Sequence, residues 1–437
     1  MLETLMKFEL QSTSQWVAGC TQTLLLSSGV SVPVRLSQAP LSEAVDAVLL
    51  RGPEDLEVLA RLPEFPALHR LLEGHDEAAR LAEHKRGLLA AMSKGIHVFG
   101  AHRIGQSIVN DARRVGIAVA GLLDNDQAKA GQRLDGIEVF HPTSIDLSDA
   151  VVVVASGRYS NEIIRQIKDR CARVVNFHEF LYATDSAHIS EPTFANLPHD
   201  TLAGPLRYLS AFLRLGDEQS RQAFNGLIEM RMSLSTEPAD AHKSPFTDEY
   251  FDSAFVSAEQ ARHFVDAGAF NGDTLASLER HFGPVERAYL FEPEMAPYYA
   301  ALKRFSDRPH VLLFNMGLDS DYSRFEYDPA LSCNLAGEVT GPIPGNITSY
   351  IQGVPLEQLV SGKVGLFKLD IEGMEERALF GATAVIRREK PVLAVCAYHR
   401  ADDFWKLIDT VTAIRPDYRV GIRHYADILH DITLYFY

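Results

Sequence analysis

The hydrophobic and polar positions divide the chain into regions with different periodicities. Residues 1–92 place leucine and alanine at helical spacing among charged residues, as in GPEDLEVLARL and HDEAARLAEHKRGLLAAM. This pattern predicts a mostly helical N-terminal cap. Residues 186–262 have the same spacing in LRYLSAFLRL and EQSRQAFNGLIEMRM, followed by a polar segment with prolines, and are predicted to form a helical connector.

Residues 93–185 alternate short apolar runs with helical patterns. The predicted strands include GIHVFG, IAVAGLLDND, DAVVVVASG and ARVVNF, and the predicted helices include SIVNDARRVG and EIIRQIKDR. A β-branched run such as VVVV is typical of a strand that is buried on both faces of a parallel sheet. The region is therefore predicted to be a smaller, Rossmann-like α/β domain.

Residues 263–437 form a second alternating series with seven predicted strands. They are HFVDAG, RAYLFEP, HVLLFNMG, VGLFKLD, KPVLAVCAYH, YRVGIRH and ITLYFY. Only YADILHD joins the last two, and a parallel partner needs a dozen or more connecting residues, so the last strand is predicted to be antiparallel. This α/β pattern is similar to the Rossmann-like, seven-stranded sheet of class I methyltransferases.

Composition and charge narrow the class of protein. With 437 residues, 46% hydrophobic and 23% charged, the chain is predicted to be a soluble protein of two or three domains. A formal net charge of −16 disfavours a nucleic-acid partner, because an acidic surface repels phosphate. No apolar run approaches the roughly 20 residues that cross a bilayer, so we predict a cytoplasmic protein without a membrane partner.

The segment FVDAGAFNGDT at residues 264–274 is the first candidate for binding chemistry. Asp266 ends an apolar strand, and Gly268 and Gly272 follow in the turn before a predicted helix. Ligands of open α/β sheets bind at such strand ends, and glycines allow close approach of the backbone. The spacing is not GxGxxG, which disfavours a dinucleotide pyrophosphate. A nucleoside-like ligand is favoured over a purely structural turn.

Two further strand ends carry acids. Glu292, in FEPE, lies twenty residues after Gly272, at the distance where a carboxylate can accept the hydroxyls of a ribose. Asp370 and Glu372, in FKLDIEGME, end the fourth strand of the series. This pair could orient an acceptor hydroxyl, hold a divalent cation or receive an ammonium group. The alternative for all three acids is to complement the N-terminus of the following helix.

The motifs VDAGAFNGDT, FEPE, NMGLDS, FKLDIEGMEERALFGA and AYHRADD, in this order, closely resemble the FkbM family of S-adenosylmethionine-dependent methyltransferases. The resemblance spans residues 263–437 and implies methyl transfer to a hydroxyl of a sugar or natural product. It implies that Glu292 binds the ribose and that residues near the adenine follow the third strand. The cofactor-binding residues predicted on this basis are Asp266, Gly268, Ala269, Phe270, Asn271, Gly272, Asp273, Thr274, Glu292, Asn315, Gly317 and Asp319.

Methyl transfer is an in-line displacement that needs an aligned acceptor and a group that takes its proton. His399 and His424 end the fifth and sixth strands, and a histidine can act as a base near neutral pH. We predict His399 rather than His424, and we predict Asp370, His399 and Glu372 as the catalytic residues. A magnesium ion on Asp370 and Glu372 stays an alternative, since no third ligand is identifiable.

The N-terminal α/β domain resembles the small Rossmann-like domains that precede some sugar-modifying transferases and bind nucleotide sugars. VFGAHRIGQSI offers Gly100 and Gly105, but His102 stands where a dinucleotide motif has its second glycine, and Asp124 follows at ribose distance. A scaffold without a ligand is the alternative. Two rival functions remain: a nucleotide-sugar-modifying enzyme with an active N-terminal domain, and a non-catalytic nucleotide sensor. A homo-oligomer is compatible with all of them.

Overall fold

The computed structural model describes residues 53–74, 77–187, 194–327 and 350–437, together with five short strands outside these ranges. Within the described residues the strands form four sheets. Short 3-10 helices cover Leu62–Glu64, Gln127–Lys129, Phe246–Asp248 and Leu356–Gln358. No helix in the described part of the chain is both long and apolar enough to cross a membrane.

The described residues of the first region include four short strands that the sequence did not predict, in addition to helices. It begins with a four-stranded sheet of order β1-β2-β3-β4, formed by β1 (Glu9–Leu10), β2 (Thr21–Leu25), β3 (Ser31–Leu36) and β4 (Val48–Leu50). Val32 and Val34 of β3 are fully buried, which is the period of two that a half-buried strand requires. The described helices of this region are α1 (Pro53–Ala60), α2 (Pro66–Glu73) and α3 (Glu77–Met92).

The second region forms a six-stranded sheet of order β10-β9-β5-β6-β8-β7, as its alternating pattern predicts. All neighbouring strands are parallel except β7 and β8. The strands are β5 (Ile96–Phe99), β6 (Val119–Leu123), β7 (Arg133–Leu134), β8 (Ile137–Phe140), β9 (Val151–Val154) and β10 (Arg173–Val175). The helices are α4 (Arg103–Arg114), α5 (Ser160–Ile167) and α6 (Phe177–Ala183).

The connector contains short helices and one long one. These are α7 (Leu197–Ala203), α8 (Pro205–Leu213), α9 (Glu218–Ser233), α10 (Ala239–His242) and α11 (Ala258–Ala261). Asp217 caps α9 by accepting a hydrogen bond from Ser220 N. The segment between α10 and α11 consists of the 3-10 helix Phe246–Asp248 and turns, and Ser244 N donates to the carbonyl oxygen of His424 in the last sheet at 2.7 Å.

The C-terminal region forms the predicted seven-stranded sheet, in the order β13-β12-β11-β18-β19-β21-β20. Its strands are β11 (His263–Ala267), β12 (Arg287–Phe291), β13 (Val311–Phe314), β18 (Leu366–Leu369), β19 (Val392–Cys396), β20 (Val420–His424) and β21 (Ile432–Phe436). The strand β21 inserts between β19 and β20 and is antiparallel to both, which confirms the predicted reversal. The other four pairs of neighbouring strands in this sheet are parallel.

Five helices accompany this sheet, and a small fourth sheet flanks it. The helices are α12 (Asp273–Phe282), α13 (Met295–Arg304), α14 (Glu375–Gly381), α15 (Thr383–Glu389) and α16 (Asp403–Ile414). The fourth sheet has the order β14-β17-β15-β16, from β14 (Gly317–Leu318), β15 (Ser323–Tyr327), β16 (Leu335–Glu338) and β17 (Tyr350–Val354). Residues 331–350 are rich in glycine, proline, serine and asparagine, and this composition predicts either a loop or hairpin over the acceptor pocket or a disordered or merely decorative insertion. Most of this segment lies outside the described residues.

Candidate active site

A cavity of about 800 Å³ opens at the carboxyl edge of the seven-stranded sheet. This is the edge at which open α/β sheets bind their ligands, and the volume lies in the range of small-molecule sites. Three parts of the chain line the cavity besides this edge: the N-terminal α/β unit, the connector segment between α10 and α11, and the small fourth sheet. Their lining residues are Arg103, Arg158, Phe246, Thr247, Glu249, Tyr250, Phe251, Phe325, Ile351 and Gly353.

Eight predicted site residues line this cavity. They are Gly268, Phe270, Asp273, Thr274, Glu292, Gly317, Asp370 and Glu372.

The two glycines of the loop after β11 are required by the conformation and packing of that loop. Gly268 has φ of +78°, and a Cβ there would lie 1.9 Å from the carbonyl oxygen of Asp370. Gly272 has φ of +78°, and a Cβ there would lie 2.3 Å from the Phe305 ring. The turn after β11 can therefore fold tightly against β18.

Asp266 does not line the cavity but lies beneath it, where it pairs with a lysine that holds the cavity-lining loop. Its carboxylate is fully buried, and Oδ1 lies 3.2 Å from Nζ of Lys368 on the neighbouring strand. Lys368 also donates hydrogen bonds to the carbonyl oxygens of Ala267 at 3.2 Å and Gly268 at 2.7 Å. Burial raises the pKa of Asp266 to about 6, although the charge of Lys368 opposes this rise. The ion pair thus fixes the loop through its backbone.

Glu292 presents a carboxylate at the end of β12. Its Oε2 accepts from Phe270 N at 2.8 Å and its Oε1 accepts from Glu294 N at 2.7 Å. Each carboxylate oxygen can accept a second hydrogen bond, and the side chain lines the cavity. Burial raises the pKa of Glu292 to about 7, which the two backbone donors partly offset. The carboxylate can therefore accept hydroxyl donors from a ligand.

Asp370 is held by two phenol groups and a histidine. Tyr250 Oη donates to Oδ2 at 3.1 Å and Tyr398 Oη donates to Oδ1 at 3.3 Å, while His399 Nε2 lies 3.4 Å from Oδ1. The side chain of Asp370 is still 27% exposed, so a ligand can reach it. Burial favours the neutral acid, but the charges of Lys368 and His399 outweigh burial and lower the pKa of Asp370. Asp370 is therefore an ionised, accessible carboxylate.

His399 lies behind Asp370, among three carboxylates. Its Nδ1 is 2.9 Å from Glu375 Oε1, and its Nε2 is 3.6 Å from Glu372 Oε2. Burial would lower the pKa of His399, but Glu375 and the other two carboxylates raise it to about 10. The ring is therefore an imidazolium at neutral pH, and its Nε2 forms an ion pair with Asp370. This arrangement favours a positioning role for His399 over the predicted role of proton acceptor.

His424 is a structural residue rather than a base. It is fully buried, and Nε2 donates to the carbonyl oxygen of Ile428 at 2.7 Å. Burial lowers the pKa of His424 to about 3, with a further contribution from His242. An unfolded histidine has a pKa of about 6.5, so the unfolded chain takes up this proton first on acidification. Stability contributed by neutral His424 is present above pH 6.5 and is lost as the pH falls towards 3.

His424→Gln tests this assignment, because glutamine keeps a donor for Ile428 and does not titrate. We expect the free energy of unfolding of the original protein to fall by about 2 kcal/mol more than that of the variant between pH 7 and pH 5. Urea denaturation at both pH values measures the difference. The same pH dependence in both proteins would contradict a neutral, buried His424.

Seven predicted site residues do not line the cavity: Asp266, Ala269, Asn271, Gly272, Asn315, Asp319 and His399. Asn315 donates instead to the carbonyl oxygens of Glu292 and Pro293, at 3.0 and 2.9 Å, and so shapes the turn that carries Glu292. Asp319 is fully buried and accepts hydrogen bonds from Arg377 at 2.7 and 2.9 Å. Both positions stabilise the walls of the cavity.

A solved structure has a similar fold over most of the chain. The chain is similar to the crystal structure of methyltransferase FkbM from Methylobacillus flagellatus KT, with a TM-score of 0.68 and 22% identity, over 87% of this chain and 100% of that chain. The chain has a class I methyltransferase fold. Because the similarity covers 87% of the chain, it extends well beyond the C-terminal sheet. No family model matches the chain, and no curated protein matches it either.

Two other solved structures are similar over smaller parts. A putative rRNA methylase from Clostridium thermocellum matches with a TM-score of 0.28 and 12% identity, over 42% of this chain and 88% of that chain. Fibrillarin from Aeropyrum pernix, crystallised with natively bound S-adenosyl-L-methionine, matches with a TM-score of 0.27 and 13% identity, over 42% and 69% of the two chains. Such low scores support no conclusion about the methyltransferase fold described here.

The arrangement of the side chains does not support the alternative of a magnesium ion on Asp370 and Glu372. Among the described residues, no group of three or more histidine, cysteine, aspartate or glutamate side chains is arranged to hold a metal ion. Asp370 and Glu372 converge on the charged ring of His399 instead. The imidazolium thus supplies the positive charge that a cation between these carboxylates would supply.

Three residues that complete the site were not predicted from the sequence. Lys368 lies in a strand whose four residues are all buried, and a buried lysine is rare enough to be a signal by itself. Tyr250 and Phe246 come from the connector segment between α10 and α11, where no periodic pattern marks them. Lys368 and Tyr250 touch each other, since Nζ lies 5.3 Å from the centre of the ring. The cavity is therefore closed by residues from well outside the sheet.

Proposed function

We propose that this protein is an S-adenosylmethionine-dependent methyltransferase that methylates a hydroxyl oxygen of a small molecule, a sugar or a natural product. The observation that carries the proposal is the pair of carboxylates on one cavity wall, Glu292 and Asp370, at the edge of a seven-stranded sheet with a reversed last strand. The first suits a ribose, and the second suits an acceptor hydroxyl.

The residues at the ends of β11 and β12 fit the cofactor. Glu292 retains acceptor capacity towards the cavity, which two vicinal ribose hydroxyls can fill. Donors that reach the carboxylate favour its ionised form, so binding would lower the pKa of Glu292 from about 7. Gly268 exposes backbone to the same cavity, and Phe270 offers an aromatic ring that is 55% exposed. When bound, S-adenosylmethionine supplies an electrophilic methyl group on a sulfonium.

Asp370 is the group that we assign to the acceptor hydroxyl. An ionised carboxylate accepts the hydroxyl proton, and it orients the oxygen before transfer. The hydroxyl becomes strongly acidic as its oxygen bonds to carbon, so a carboxylate with a lowered pKa is basic enough. Tyr250 and Tyr398 hold both oxygens of Asp370 in place, and His399 keeps the carboxylate ionised.

Calorimetric titration with S-adenosylmethionine tests the proposal, with Glu292→Gln as the variant. We expect the intact protein to bind, and the variant to bind at least tenfold more weakly, because hydrogen bonds to a charged group contribute about 1.5–3 kcal/mol each. Glu286→Gln, in an exposed ion pair with Arg262 at the start of β12, is the matched control and should bind normally.

Two results would count against the proposal. No binding of S-adenosylmethionine by the intact protein would reject a methyltransferase. Equal binding by the protein and by the Glu292 variant would reject the ribose assignment alone. The cytoplasmic location, the domain boundaries and a homo-oligomeric state stay predictions from the sequence.

A further inference from the structure

The N-terminal α/β unit contributes one wall of the same cavity. Arg103 begins α4, directly after the turn that follows β5, and Arg158 lies in the loop after β9. The strands β5 and β9 are parallel neighbours, and the sheet continues to β6 on one side and to β10 on the other. This is a topological switch point, where open α/β sheets bind ligands. The ligand crevice of this sheet therefore opens towards the carboxyl edge of the seven-stranded sheet.

Contacts from the C-terminal half fix the loop that carries Arg158. Asp427 N donates to the carbonyl oxygen of Gly157 at 3.1 Å, and Asp427 Oδ2 accepts from Asn161 N at 2.8 Å. The guanidinium lies 3.2 Å from the centre of the Phe246 ring. Its Nε is 3.9 Å from Asp431, a long contact that leaves donors of the guanidinium for a ligand.

Arg103 differs from Arg158 in that no ion pair or ring contact is seen for its side chain in the described part of the chain. Its side chain is exposed and lines the cavity, and in the described ranges of the chain it forms no hydrogen bond or ion pair. Most ionisable residues on the cavity wall are acids, and the whole chain carries a net charge of −16. Arg280 and Lys368 also line the cavity, on α12 and β18, and Arg103 and Arg158 add two guanidinium groups at the switch point of the N-terminal sheet.

The part of this crevice that would hold a dinucleotide is filled by the protein. Asp124 Oδ2, at the predicted ribose distance, accepts instead from Ala101 N at 3.0 Å and from Lys129 Nζ at 2.8 Å. The ring of His102 covers Gly100, since its Nε2 lies 2.8 Å from where a Cβ of that glycine would be. Within the N-terminal α/β unit, the residues that line the cavity are Arg103 and Arg158.

We propose that the methyl acceptor carries an anionic group, a phosphoryl or a carboxylate, which Arg103 and Arg158 bind while its hydroxyl lies at Asp370. The planar, forked donors of arginine match the oxygens of both anions. This inference rests on the proposed methyltransferase function and names the chemical class of its acceptor. The N-terminal unit is then the half that selects the acceptor, and the C-terminal sheet is the half that holds the cofactor.

Calorimetry with inorganic pyrophosphate at low ionic strength tests the anion site without turnover. We expect the intact protein to bind pyrophosphate and the double variant Arg103→Met and Arg158→Met to bind it at least tenfold more weakly. Arg86→Met, an exposed arginine on α3 that does not line the cavity, is the matched control. No binding by the intact protein, or equal binding by the double variant, would overturn the site.

Transfer of an isotopically labelled methyl group into small-molecule extract tests the acceptor itself. We expect the labelled product to be retained on an anion exchanger at pH 7, and the double variant to form at least tenfold less of it at limiting extract. Loss of retention after phosphatase treatment identifies a phosphoryl group, and continued retention identifies a carboxylate. A labelled product without negative charge would overturn the inference while leaving the methyltransferase intact. Absence of cofactor binding would reject the proposed function instead.

Discussion

Replacing Asp370 with asparagine is expected to lower the rate of methyl transfer by about 10²–10⁴-fold, the usual contribution of a positioned proton acceptor. Asparagine is close in shape and keeps one acceptor oxygen for Tyr250 or Tyr398, but it cannot take a proton. Turnover of labelled S-adenosylmethionine with the acceptor identified from extract measures the rate. Calorimetry on the same variant should give a cofactor dissociation constant within about threefold of the original, because Glu292 supplies the ribose contacts.

Asp417→Asn is the matched control for this substitution. The pKa of Asp417 is also lowered, to about 2, but the cause is a pair of exposed ion contacts with Arg415 and Lys390, away from the cavity. We expect full activity from this control. Activity of the Asp370 variant within about threefold of the original would contradict its role as the proton acceptor.

Replacing Lys368 with methionine is expected to lower the free energy of unfolding by about 3–5 kcal/mol. The change leaves the fully buried carboxylate of Asp266 without a counter-charge, and it leaves the carbonyl oxygens of Ala267 and Gly268 without their donor. Urea denaturation measures the loss. Lys363→Met, in an exposed pair with Glu259, is the control and should change stability by less than about 1 kcal/mol.

A double-mutant cycle separates the buried pair from its surroundings. Asp266→Asn should recover part of the stability that Lys368→Met loses, because the uncompensated charge is then removed.

Lys368 also helps to keep Asp370 ionised. The Lys368 variant should therefore lose activity on acidification at a higher pH than the original protein. A loss of stability below about 1 kcal/mol would show that Lys368 is not the anchor of the loop.

The seven-stranded sheet could be predicted because its strands are strongly apolar and are separated by amphipathic helices. The strand β18 ends in an acid after four buried residues, and the turn after β11 contains two glycines with positive φ. Such patterns depend on residues close together in the chain. They were enough to place Glu292 and Asp370 on one cavity wall.

The remaining parts of the site depend on contacts that sequence spacing does not encode. Asp319 pairs with Arg377, which is 58 positions further along the chain, so its burial could not be foreseen from NMGLDS. Tyr250 reaches Asp370 across 120 positions. The strands of residues 1–50 are only two to six residues long, and short apolar runs of this kind do not separate strand from helix.

The contact between Asp427 and Asn161, in the first turn of α5, joins positions that are 266 residues apart in the chain. The N-terminal sheet can form early during synthesis, whereas its partner turn between β20 and β21 is made long afterwards. Until that turn is made, the backbone amide of Asn161 lacks its acceptor, the carboxylate of Asp427, and the loop that carries Arg158 lacks its hydrogen bond from Asp427 N. The wall of the cavity that carries Arg158 is therefore completed only after the turn between β20 and β21 has been made and the two halves of the chain have met.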